Sequence, residues 1–393
     1  FSANTLVVTN TLRGGNTANS STLTIGSNSI FSSNVLFNAN ATVNSSLAVI
    51  NAASFTGNVS LANTLAVTGN VSLSNTIAVT GNATFSNQVS ITGNAVIANT
   101  LTVTGNVTFS NTSTYTGAAA FSNTVAVTGN TTLSNTLAVT GNATFSNTVS
   151  MTSTLAVTGN ATLSNSVSIT GNATFANTVA VTGNAAFSNL VSIAGTLSVT
   201  GNTTLSSALA VTGNATFSNT IAVTGNAVFS NTIAVIGNAT FSNTVGVVGN
   251  ATFSNSVTVT GNVTLSNTVT AVGAATFSNT IAVTGNATFS NTINVTGNAN
   301  LAGTITVTGN VTLSNTIAVT GNATFSNTVS VTGNVTFANV MTTTGAATFS
   351  NTVTVSGQAN LVTLNASGAT GLATRSEEHT SELQSLAYLV CRL

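Results

Sequence analysis

From Ile25 onward the chain keeps a six-residue hydrophobic phase that never slips. Every sixth residue from Ile25 to Leu361 is apolar, through Phe31, Phe37, Val43 and onward, and Thr343 is the sole exception among 57 positions. A second apolar or small residue stands two places earlier, as Ile77 does before Val79 and Ala83 before Phe85. Alternation at period two marks a short strand buried on one face, whereas a helix carries its stripe at spacings of three and four. Val, Ile, Thr and Phe favour that state. Between the strands stand turn residues, as in Thr80-Gly81-Asn82 and Ser86-Asn87, where Gly and Asn tolerate positive φ. The pattern predicts an all-β chain of six-residue strand-turn units.

A longer identity is laid over this phase. GNATFSNTIAVT or a close variant recurs at period 12, and 26 of the 33 glycines fall on one grid between Gly57 and Gly357. Where that grid jumps, from Gly141 to Gly159 and from Gly195 to Gly201, whole hexads are gained or lost, so the hexad is the building unit. A hairpin at Gly81-Asn82 would pair Val79 with Thr84 and Ala78 with Phe85, mixing polar and apolar residues on both faces. Coiling the chain so that hexads stack in parallel puts Ile77, Val79, Ala83 and Phe85 inside and Ala78, Thr80, Thr84 and Ser86 outside. The expected fold is therefore a single elongated parallel β-solenoid, with stacked strands about 4.8 Å apart. The twelve-residue identity favours a two-sided coil of 12 residues, with Phe on Phe and Asn ladders through Asn70, Asn82 and Asn94. A three-sided coil of 18 is the alternative and accommodates the single-hexad jumps. An intertwined homotrimer sharing one core, or an end-to-end fibre, is also open. The hexads resemble those of the left-handed hexapeptide β-helix, with Ser or Thr where that family prefers Gly, Ala or an acid.

The chain reads as a degenerate leader (1–24), the repeat array (25–361), the end of the array (362–374) and a tail (375–393). Composition breaks at Arg375: the tail RSEEHTSELQSLAYLVCRL holds every charged residue except Arg13, with the sole His379 and Cys391. RSEEHTSELQS resembles the in-frame translation of a sequencing adapter, and LVCRL its continuation, so the tail is read as non-native and excluded from fold reasoning. Starting at Phe1 in repeat-like sequence, the chain is expected to be an internal fragment.

Residues 1–374 contain no Lys, Asp, Glu, His, Cys or Trp. Acid–base catalysis, Cys or Lys nucleophiles and His, Cys or Asp metal sites all need side chains this stretch lacks, and a Ser nucleophile would have no base. The expectation is a non-enzyme with no catalytic, cofactor-binding or metal-binding residues and no cofactor. No P-loop Lys follows any glycine, and one Arg cannot neutralise a nucleic-acid backbone. No run of about 18 apolar residues predicts a membrane span. Asn-Ala-Thr and Asn-Val-Ser triplets match the N-glycosylation acceptor, but glycans about 4.8 Å apart on adjacent coils would collide, so they are read as turn chemistry. Tyr115, Met151 and Met341 are read as core.

What remains to act is surface and length. Repeats of the TGNATFSNT type, over about residues 55–360, resemble low-complexity shafts of phage tail fibres and surface adhesins. That resemblance implies a structural spacer, extracellular, on a cell surface or on a virion, with any receptor or glycan contact made by regions outside this chain. Two rival readings rest on the residues. Outward Ser and Thr stacked every coil would form a flat hydroxyl lattice suited to ice, with Thr216, Thr240, Thr252 and Thr288 on the binding face. Insect antifreeze solenoids with 12-residue coils look similar in repeat length, although their disulfides and Thr-x-Thr face are missing here. A self-assembling amyloid-like matrix fits low charge, high β-propensity and no proline.

Overall fold

A computed structural model describes residues 5–8, 12–14, 22–368 and 370–372. The tail at 375–393, including His379 and Cys391, lies outside the described residues, as does the Arg13 side chain. The chain divides into two compact units, Phe1–Thr196 and Leu197–Leu393, and each is a parallel β-solenoid.

In the first unit Ala83–Phe85 lies between Leu65–Val67 and Leu101–Val103. In the second, Ala251–Phe253 lies between Ile233–Val235 and Val269–Ala271. Partners stand 18 residues apart, so one coil is three hexads with three faces. This corrects the two-sided coil of 12 that the sequence identity favours and selects its 18-residue alternative. The physical reason lies at the corners. A two-sided coil must reverse direction at every turn, which calls for left-handed backbone; a three-sided coil bends less. None of the corner glycines from Gly57 to Gly195 or from Gly225 to Gly357 adopts a left-handed φ.

The coils are tied by backbone at each strand end: the Ala83 N–H donates to the Thr100 carbonyl and the Thr104 N–H to the Phe85 carbonyl, both at 2.9 Å. Glycine is demanded by this closeness. A Cβ on Gly81 would stand 2.6 Å from the carbonyl carbon of Asn63, one coil below.

All sixth-position residues from Phe31 to Val355 are buried, while Ile25 and Leu361 are half-buried. The outward assignments hold too: Thr80, Thr84 and Ser86 are exposed and Ala78 is half-buried. Because two kinds of hexad alternate and an odd number fills each coil, kinds alternate down each face. Val67, Phe85, Val103, Phe121 and Val139 succeed one another in one column, beside Leu65, Ala83, Leu101, Ala119 and Leu137 in the next. Most Phe thus share their strand with Ala and sit between smaller neighbours, although Phe37, Phe109 and Phe337 share theirs with Val. Phe217, for example, lies between Val199 and Val235. The expected Phe-on-Phe column is replaced by this alternation; Phe meets Phe across the core instead, as Phe277 and Phe289 do with ring centroids 6.4 Å apart. Phe37 stacked on Phe55 at 5.0 Å, near the start of the array, is an exception.

Irregularity gathers toward the ends. Thr5 pairs with Asn28 and Leu12 with Val35, offsets longer than 18 residues. Met341–Phe349 runs unbroken around a corner, pairing with strands of two faces, and its own partner Ala359–Ala366 shifts register opposite Thr343 and Ala346.

The core carries two kinds of defect. Tyr115 and Met341 are buried as expected, with Met151, but the hydroxyls of Tyr115, Ser113, Thr131, Thr203 and Thr343 are buried with no hydrogen-bond partner. An unpaired buried hydroxyl costs about 1–3 kcal/mol. Burial also pushes the Tyr115 phenol well above its usual range. In the second unit Ala271 stands between Phe253 and Phe289, where Val is usual, and beside it is a void of 10 Å³ with an apolar lining.

Three outcomes follow for stability. Gly81→Ala should lose about 1–3 kcal/mol by overpacking, whereas Gly246→Ala, at an outward site with nothing within 4 Å, should gain about 0.5–1 kcal/mol; denaturant melts of the two variants decide. Ala271→Val should fill the void and raise stability by about 1 kcal/mol, read by the same melts. A phenol held neutral by burial favours the folded state fully below its unfolded pKa of about 10 and progressively less above it. The first unit should therefore lose stability as pH rises past about 10, and Tyr115→Phe should flatten that decline in a pH series of melts.

Candidate functional site

With the interior closed, chemistry is confined to three outward columns, each made of the middle residues of stacked strands, and to the corners between them. Among the described residues no three His, Cys, Asp or Glu come together. No described helix is long and apolar enough to cross a membrane. One open concavity of 510 Å³ lies in the first unit against Asn34, Leu36, Ala52, Ser54, Asn70 and Gln88. Its lining offers amides and hydroxyls and no ionisable group, so it can hydrogen-bond a neutral ligand but cannot move a proton at neutral pH.

The three faces of the second unit differ. One carries Val228, Gly246, Thr264, Ala282, Asn300 and Ala318 in successive coils, with no continuous chemistry. Another carries Thr240, Thr258, Thr276, Asn294, Thr312 and Ser330. The third carries Thr252, Thr270, Thr288, Thr306, Thr324 and Thr342, an unbroken run. The residues expected on one ice-binding face are thus divided: Thr216, Thr252 and Thr288 share the third face, and Thr240 stands on the second. At period 12 the run is invisible, because its members lie 18 apart; reading every eighteenth residue finds it.

The corners also differ from expectation. Successive Asn of the twelve-residue repeat occupy different corners, so Asn70, Asn82 and Asn94 form no ladder with one another. Instead each corner alternates Asn with Thr or an equivalent residue. The Asn82 Oδ1 accepts the Thr100 N–H at 3.3 Å, and the Thr232 hydroxyl donates to the Asn214 Oδ1 at 2.6 Å. Asn at the other kind of turn caps locally, as the Asn111 Oδ1 accepts the Thr112 N–H at 2.9 Å. Where the grid jumps, Asn does stack on Asn, the Asn160 N–H donating to the Asn142 Oδ1 at 2.9 Å. Regular acceptor triplets consequently recur on one corner every second coil, about 9.6 Å apart, and the steric argument against their glycosylation falls; the amide oxygens nonetheless serve the coil above.

No curated protein and no solved structure matches the chain. A family profile described as BspA type leucine rich repeat region, in six copies, matches residues 69–194, 114–248 and 224–356. Leucine-rich repeats generally run 20–29 residues, so the 18-residue coil here is short for that class, and its inward positions are filled by Val, Ile, Ala and Phe as well as Leu. The matched segments nevertheless extend from 69 to 356, well over half the sequence, and the chain belongs to the BspA-type leucine-rich repeat family.

Proposed function

We propose that the chain is a structural segment of a surface protein, a stiff uncharged spacer with no catalytic activity that acts outside the cell. The observation that supports it is the sameness of each coil: in either unit the outward positions are mostly Ser, Thr, Asn and Ala, and between Arg13 and Arg375 no residue is charged. A spacer needs backbone continuity, resistance to bending and little affinity of its own. The inter-coil hydrogen bonds supply the first two, and the neutral hydroxyl coat supplies the third. Membership in a repeat family associated with bacterial surface proteins agrees with this reading. About ten coils in each unit span roughly 45–50 Å.

The test places the full chain between a cell-surface anchor and a reporter domain with a known ligand. Removing 36 residues, two whole coils within one unit, should shorten the reporter's reach by about 10 Å and leave its affinity unchanged. The chain alone should show no saturable binding to cells or to a glycan array. Tight binding by the chain itself, with no dependence of reach on coil number, overturns the spacer.

A further inference from the structure

The unbroken threonine column of the second unit has a property that a spacer does not require. Its six members run from Thr252 to Thr342, one per coil, Thr252 exposed and the other five half-buried. Their hydroxyls make no hydrogen bond to protein among the described residues. Neighbours in the column stand about 4.8 Å apart, too far to bond one another, so each hydroxyl must be satisfied by solvent. Two residues further on comes a second rank at the corner, hydroxyl-bearing in all but one coil: Ser254, Ser290, Thr308, Ser326 and Thr344, with Val272 the exception, and there the Thr344 hydroxyl donates to the Ser326 carbonyl at 2.9 Å. Each rank repeats at about 4.8 Å along the stack, in register because none of these strand pairs shifts, and the second rank stands just past the end of each three-residue strand, where the chain turns.

We infer that this face binds ice, through water held on the threonine column. Three features argue for that occupant. The face is neutral, as an ice surface is, so no ion need be desolvated when the two meet. The hydroxyls repeat at one spacing along six coils, close to the repeat of oxygen rows in ice, so a periodic lattice meets all of them at once while a globular partner meets only a few. The β-branched side chains have few rotamers, so the column is ordered before binding. The other two faces lack the full set: one is interrupted by Val228, Gly246 and Asn300, the other by Asn294.

This inference does not depend on the spacer reading, and each can fail alone. Thermal hysteresis measured on the full chain should be present and should rise with concentration. Thr288→Lys with Thr324→Lys should abolish it, whereas Ala282→Lys with Ala318→Lys on the interrupted face should leave it unchanged, both variants keeping the β signature in circular dichroism. If the threonine double variant loses that signature, Thr306→Lys alone is scored by partition of labelled protein into a growing ice crystal, with loss of partition expected. Absence of hysteresis in the full chain overturns the inference, as does equal loss from both faces. Self-association that needs the threonine face, without hysteresis, assigns the face to a second copy and equally overturns it.

Discussion

Everything in this chain is subordinate to the hydrogen bonds between one coil and the next. They fix the vertical spacing of the backbone, and every column of side chains must then be compatible with itself at that spacing. Gly81 is glycine because the backbone of Asn63 stands beneath it, not because the turn needs an unusual φ. Phe217 is tolerated because Val199 and Val235 leave it room, and Ala215 on the same strand offsets its volume. Packing is set by columns, and a residue's neighbours in sequence matter less than those one coil away.

This explains what could be read from the sequence. Whether Phe85 points inward depends on alternation within its own strand, a local property, and the hexad phase displays it directly. Coil length is a relation between distant residues. The period of 12 counts the kinds of hexad, which is two; the number of sides is three, and nothing in the repeat unit states it. Because two does not divide three, the chain achieves an alternation of large and small residues that a 12-residue coil with the same sequence would lack. The threonine run was illegible for the same reason: Thr270 and Thr288 are neighbours on the folded surface but belong to different places in the twelve-residue unit.

The near absence of charge sets the energetics. With no ion pairs to be screened along the described array, stability rests on apolar burial and on backbone bonds shielded within the stack, both weakly dependent on salt. Defects are therefore local. The void beside Ala271 and the unpaired hydroxyls of Ser113 and Thr131 weaken their own coils and their immediate neighbours, and the rest is insulated because each coil touches only the next. Such an array tolerates the phase jump that sets Gly159 over Gly141, since only one interface has to accommodate it.

Function in a structure of this kind has to be carried by columns as well. A catalytic centre needs different groups converging on one point, and a stack of near-identical coils instead spreads the same group along a line. A ligand that contacts a single rung gains one weak hydroxyl interaction, so isolated small molecules and irregular protein surfaces are poorly served by these faces. A partner with its own matching period gains one contact per coil, and the total grows with the length of the unbroken run. Interruptions then matter more than composition: one Asn294 in a column of hydroxyls breaks the run for a crystalline partner while leaving the average surface almost unchanged. Of the three faces of the second unit, the third, with its six threonines in register, offers such a partner the longest uninterrupted run of one group.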